Sequence, residues 1–115
     1  MGVSDCLFCK IIKGEIPSTK VYEDEFVLAF LDISPVAPAH ILIVPKLHIV
    51  SASDISEENS IYAAKCFEAI AKIAVSEGLD SGFRVITNSG TDGAQSVFHL
   101  HFHLLGGKQF DVRLV

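Results

Sequence analysis

Apolar and polar residues along this chain fall into two periods, and the change from one to the other marks the elements. Residues 21–23 and 26–31 are strand-like apolar runs, and His40-Ile41-Leu42-Ile43-Val44 reads as a buried strand ended by Pro45. Ahead of them, residues 5–12 suit a short helical turn, followed by the turn Lys13-Gly14-Glu15-Ile16-Pro17. Residues 32–39 form a proline-punctuated connector. Residues 54–58 supply amino-terminal helix signals, and the helix runs from there to a cap at Gly78, with Phe67, Ile70, Ala71 and Ala74 at helical spacing. Residues 83–87 and 98–105 complete the strand set as a hairpin around the polar loop Asn88-Ser89-Gly90-Thr91-Asp92-Gly93-Ala94-Gln95-Ser96. Strands outnumber helices, so the class is α+β, an antiparallel sheet carrying one long helix.

The last predicted strand holds the chemistry. His99-Leu100-His101-Phe102-His103 places three of the 5 histidines at alternate positions. In a strand they share one face, roughly 7 Å apart, while Phe98, Leu100, Phe102 and Leu104 take the other. Three imidazoles on a straight strand converge poorly on one metal ion, so their roles divide. Neutral imidazole attacks phosphorus without first losing a proton, which makes the central His101 a nucleophile toward a phosphate ester or amide. The preceding loop adds backbone N–H groups, an amide and a hydroxyl, an inventory that cradles phosphate without cations.

Composition narrows the function classes. At 115 residues the chain is read as one domain, residues 1–115, with a real core. Half of it is hydrophobic, yet no run approaches the ~20 apolar residues of a membrane span, and the start lacks a basic-then-apolar leader, so a cytoplasmic protein with no membrane partner is expected. A net charge of -5 argues against a nucleic-acid partner. Three cysteines make an odd count for a disulfide scaffold, and Cys6-Leu7-Phe8-Cys9 has the spacer of a metal clip or a redox pair.

The run from Gln95 to Leu105 resembles the signature of the histidine triad, or HIT, superfamily, in which three histidines alternate with apolar residues. Leu31-Asp32-Ile33-Ser34-Pro35, Ala37-Pro38-Ala39-His40, Val44-Pro45-Lys46-Leu47-His48-Ile49 and Gly106-Gly107 are similar to its Hint branch. The resemblance implies the HIT fold, with about five antiparallel strands, one long helix and a short amino-terminal helix. It implies a homodimer and a hydrolase of purine nucleoside phosphoramidates, adenosine 5'-monophosphoramidate among them. His101 would be transiently nucleotidylated, His103 and Ser96 would contact the phosphate and assist departure of the leaving group, and His40 would pack against the triad. Asp32 would accept from the ribose hydroxyls beside Ile33, with Asn88, Ala94 and Gln95 completing the nucleotide contacts. Many microbial proteins of this kind hold structural zinc, and the resemblance implies Cys6, Cys9, His48 and His99 as its ligands here; Cys66 is read as a packing residue.

Two departures stand out. Ala94 occupies a position where the family usually has glycine, and the carboxyl end lacks the tryptophan of animal Hint proteins. Two rival readings stay open. One is hydrolysis of dinucleoside polyphosphates, and the other is a non-catalytic module that binds nucleotide or zinc.

Overall fold

Branched and aromatic residues between turn residues give five strands in the computed structural model, which describes residues 3–115; Met1 and Gly2 of the leader reading lie outside the described residues. The strands are β1 (Lys20–Glu23), β2 (Val27–Leu31), β3 (Ala39–Pro45), β4 (Phe83–Ile86) and β5 (Phe102–Gly106). They form one antiparallel sheet in the order β1-β2-β3-β5-β4. Asp24 closes the first hairpin, its Oδ1 accepting from the Phe26 and Val27 amides at 2.8 and 2.9 Å.

Helices cover both faces. The long helix α2 (Ser60–Ser76) packs Cys66, Ala69, Ile70, Ile73 and Ala74 against Ala29, Ile41, Ile43 and Leu104. The short helix α1 (Leu7–Ile12) lies on the opposite face, where Phe8, Cys9 and Ile11 meet Leu28, Phe30, Leu42 and Val44. Strands β2 and β3 are therefore buried on both sides. This is why they read as continuous apolar runs without alternation. Cys66 is a core residue, and burial pushes its thiol up to about 12, which leaves it inert at neutral pH.

Three expectations need correction. Helix α2 begins at Ser60, because residues 52–54 form a separate 3-10 turn and Asn59 ties the approach. The Asn59 side chain accepts from the Ser56 amide and donates to the Asp54 carbonyl, so it is spent on the turn and gives the helix no side-chain cap. The buried face of α2 also differs: Ile70 and Ala74 are buried, but Phe67 and Ala71 are exposed. Finally, β5 starts at Phe102, four residues later than expected. In register with β3, the residue opposite Leu100 is Pro45, which has no N–H and whose carbonyl accepts from His99 Nε2, so the ladder stops. Phe98 lies outside the strand and is exposed.

Candidate functional site

The histidine row keeps its alternation through the irregular residues before β5. Leu100, Phe102 and Leu104 join the core under α2, while His99 and His101 lie against Phe8 of α1, and His103 stands beside His101 with ring centroids 5.1 Å apart. All three rings thus lie on the α1 side of the sheet. Their hydrogen-bond partners fix each tautomer, with the proton on Nε2 in His99 and His103 and on Nδ1 in His101.

His99 Nε2 donates to the Pro45 carbonyl at 2.8 Å, which leaves Nδ1 as a bare lone pair. That atom faces Cys6 Sγ at 3.3 Å, Cys9 Sγ at 3.6 Å and His48 Nδ1 at 3.2 Å, and Cys9 Sγ lies 3.3 Å from His48 Nδ1. Bond lengths of about 2.1 Å to nitrogen and 2.3 Å to sulfur give tetrahedron edges of roughly 3.4 Å for N···N and 3.6 Å for N···S. The observed separations are edges of that size. Soft sulfur and imidazole ligands converging in a buried corner fit a closed tetrahedral metal site, and all four residues expected there are brought together. Burial pushes His99 down to about 4, and burial together with the neighbouring Cys6 pushes the Cys9 thiol up to about 11. A divalent metal held by these thiols would displace their protons.

His101 Nδ1 donates to the His99 carbonyl at 2.7 Å, so Nε2 is the unprotonated nitrogen. Burial also lowers its pKa, keeping the ring neutral at physiological pH. The next pair forms a chain. The Val36 amide donates to His40 Nδ1 at 3.1 Å, so the His40 proton sits on Nε2, which lies 2.9 Å from His103 Nδ1 and 3.5 Å from Asp32 Oδ2. His103 accepts at Nδ1 and carries its own proton on Nε2. Its pKa is lowered by burial and then by the neighbouring His101 and His40. Side by side, one imidazole offers a lone pair and the next offers a proton.

Both open into a cavity of about 650 Å³ whose lining includes Asp32, Ile33, Ser96, His101 and His103. Its apolar wall comes from Leu7, Phe8 and Ile11 of α1 with Phe30 and Leu42 of the sheet, none of which the sequence reading singled out. The available signal was the apolar face of α1 beside the Cys-x-x-Cys pair. Ile33 is 98% exposed at the rim. Asp32 Oδ1 accepts from the Ser34 amide at 2.7 Å, which fixes the carboxylate at the cavity edge.

The remaining expected contacts lie in the loop before β5. Asn88 is half-buried just after β4 and is outside the cavity lining. The Gln95 side chain is spent within the protein: Oε1 accepts from Gly90 N at 2.9 Å, and Nε2 donates to the Val50 and Val97 carbonyls at 2.6 and 3.1 Å. Gln95 therefore shapes the loop from inside. Ala94 has φ 58°, the left-handed region where glycine is at ease, and its amide donates to the Thr91 carbonyl at 3.0 Å.

Comparison with known proteins agrees with this geometry. Residues 13–110 match the HIT domain model. The chain is 52% identical over 110 residues to a 14 kDa zinc-binding protein of Zea mays, covering 94% of this chain and 86% of that one. It is 47% identical over 105 residues to the purine nucleoside phosphoramidase of Escherichia coli (strain K12), covering 90% and 88%. Among solved structures, a HIT family hydrolase from Clostridium thermocellum superposes with a TM-score of 0.94 at 47% identity, covering 96% of this chain and 97% of that chain. A histidine triad protein from Clostridium difficile superposes with a TM-score of 0.93 at 54% identity, covering 98% and 99%. With its triad intact, its sheet order in place and its sequence matched over nearly its whole length, this chain belongs to the HIT family.

Proposed function

We propose that the protein is a hydrolase that cleaves purine nucleoside phosphoramidates through a nucleotidyl group carried on His101. One observation carries the reading: the His99 carbonyl holds the proton of His101 on Nδ1, while His103 presents an Nε2 proton beside it at the same cavity. His101 Nε2 attacks the α-phosphorus, the new P–N bond forms, and the bond to the departing amine breaks. The amine is strongly basic and needs a proton as it leaves. A solvent proton taken up at the cavity reaches it through His103 Nε2, which ends the step as the neutral imidazole, with the Ser96 hydroxyl as the neighbouring donor to the phosphate. Water then attacks the same phosphorus, returns its proton through His103, and releases nucleoside monophosphate and free His101.

Binding follows from the walls. The apolar side holds the purine and Ile33 covers it, Asp32 accepts from the ribose hydroxyls, and Ser96 at the end of the loop meets the phosphate. Cys6, Cys9, His48 and His99 hold zinc, which supplies structure at one end of the histidine row and takes no part in bond breaking. A second copy of the chain pairs along the open edge of β4 and the exposed apolar side of α2. The 47% identity to the purine nucleoside phosphoramidase supports the substrate class, and the 52% identity to the zinc-binding protein supports the metal.

Turnover of adenosine 5'-monophosphoramidate, compared with diadenosine polyphosphate, tests the substrate class. His101→Ala is expected to lower kcat by about 10³-fold or more while retaining adenosine monophosphate binding. Unchanged turnover in that variant would contradict the nucleotidyl group on His101, and no turnover of either substrate by the wild type would leave only the binding-module reading.

A further inference from the structure

We propose that the metal centre and the nucleotide cavity are thermodynamically linked through α1 and His99, with Phe8 as the positioning residue between them. The linkage rests on reading the cavity as a nucleotide site. Helix α1 has six residues, too few to hold its shape alone, so its place depends on what anchors it. Its two thiols belong to the metal corner: Cys6 is the helix N-cap, its Sγ accepting from the Cys9 amide at 3.4 Å, and Cys9 follows within the first turn. Its other side chains, Leu7, Phe8 and Ile11, form a wall of the cavity. One turn of helix therefore serves two ligands.

Phe8 joins the two sites directly. Its ring meets His99 edge-on at 5.9 Å and 73°, His101 at 5.0 Å and 85°, and Phe30 at 5.6 Å and 70°. A second route runs through one residue, because the His99 ring faces the thiols while its carbonyl orients His101. Whichever ligand arrives first orders α1 and residue 99, so the second binds to a structure already in place. Linkage then requires the two effects to be equal in size.

The test measures adenosine monophosphate affinity by calorimetry for zinc-loaded and chelator-stripped protein, and zinc affinity by competition with a chromophoric chelator, with and without saturating adenosine monophosphate. Stripping is expected to weaken nucleotide binding by about 5- to 150-fold, and the nucleotide to tighten zinc by the same factor. Phe8→Ala should bring that factor toward one and Phe8→Leu should restore part of it. Asp32→Asn should weaken the nucleotide in both forms and leave the factor unchanged. If stripped protein unfolds, the chelator competition on loaded protein decides: a nucleotide-induced shift that is as large in Phe8→Ala as in wild type overturns the linkage. Equal nucleotide affinity in folded loaded and stripped protein overturns it too. No binding of adenosine monophosphate to loaded protein overturns the nucleotide reading and the linkage together.

Discussion

At the scale of single residues, three chemically identical side chains acquire three tasks from the carbonyls and amides around them. Pro45 gives up its carbonyl to His99, His99 gives its own to His101, and the Val36 amide sets His40, which in turn sets His103. The attacking ring must be unprotonated, and burial holds His101 below the ordinary 6.5. Protonation that silences it therefore occurs at lower pH, and the acid limb of kcat/KM should be centred below 6.5. A pH profile whose acid limb is centred at or above 6.5 contradicts this placement of the nucleophile. The same sign governs stability of the metal-free protein. Folded His99, at about 4, binds fewer protons than the unfolded chain between about pH 6.5 and 4, so stability is lost on acidification through that window.

At the scale of elements, the loop before β5 works by close backbone approach. A Cβ on Gly93 would lie 2.6 Å from the Ser89 carbonyl oxygen and 2.9 Å from its amide nitrogen, so Gly93→Ala must open the loop. Steady-state kinetics should show a raised KM together with a lowered kcat, whereas Ala94→Gly, which relieves a left-handed alanine, should leave both within about threefold while changing stability by under about 1 kcal/mol. Normal kinetics in Gly93→Ala would remove the loop from the phosphate site. The strands and the triad were legible because apolar runs, the alternation of the histidines and turn residues are local signals. The start of α2 and of β5 were not, since Asn59 is diverted by Ser56 and Asp54, and β5 is cut short by a proline that is distant in sequence. The apolar wall from α1 and Phe30 was hidden for the same reason: its residues read as ordinary core until the fold sets them around a cavity.

At the scale of the molecule, the sheet has two unequal edges. Strand β1 carries a register irregularity and the charged pair Lys20–Glu23 at 2.9 Å, both of which discourage pairing. Strand β4 is an open edge, and α2, whose Phe67 ring meets Phe102 of the neighbouring β5 at 5.1 Å, exposes Ala64, Phe67, Ala71 and Val75 at helical spacing, with Phe67 51% and Val75 75% exposed. An antiparallel edge and an apolar stripe are self-complementary under a twofold axis, which is why a second copy of this chain is the proposed occupant. Light scattering should give a dimer for wild type and a monomer for Ala71→Glu combined with Val75→Glu. A wild-type monomer at micromolar concentration contradicts the pairing. Among the described residues, no helix is long and apolar enough to cross a membrane.

The covalent step is the claim on which the rest of the chemistry depends, and mass spectrometry of protein quenched within the first turnovers of adenosine 5'-monophosphoramidate reads it directly. The expected result is protein bearing one adenylyl group, localised by peptide mapping to His101 and missing from His101→Ala. Continued turnover with no adduct under conditions that preserve phosphoramidates, or an adduct on another residue, contradicts it.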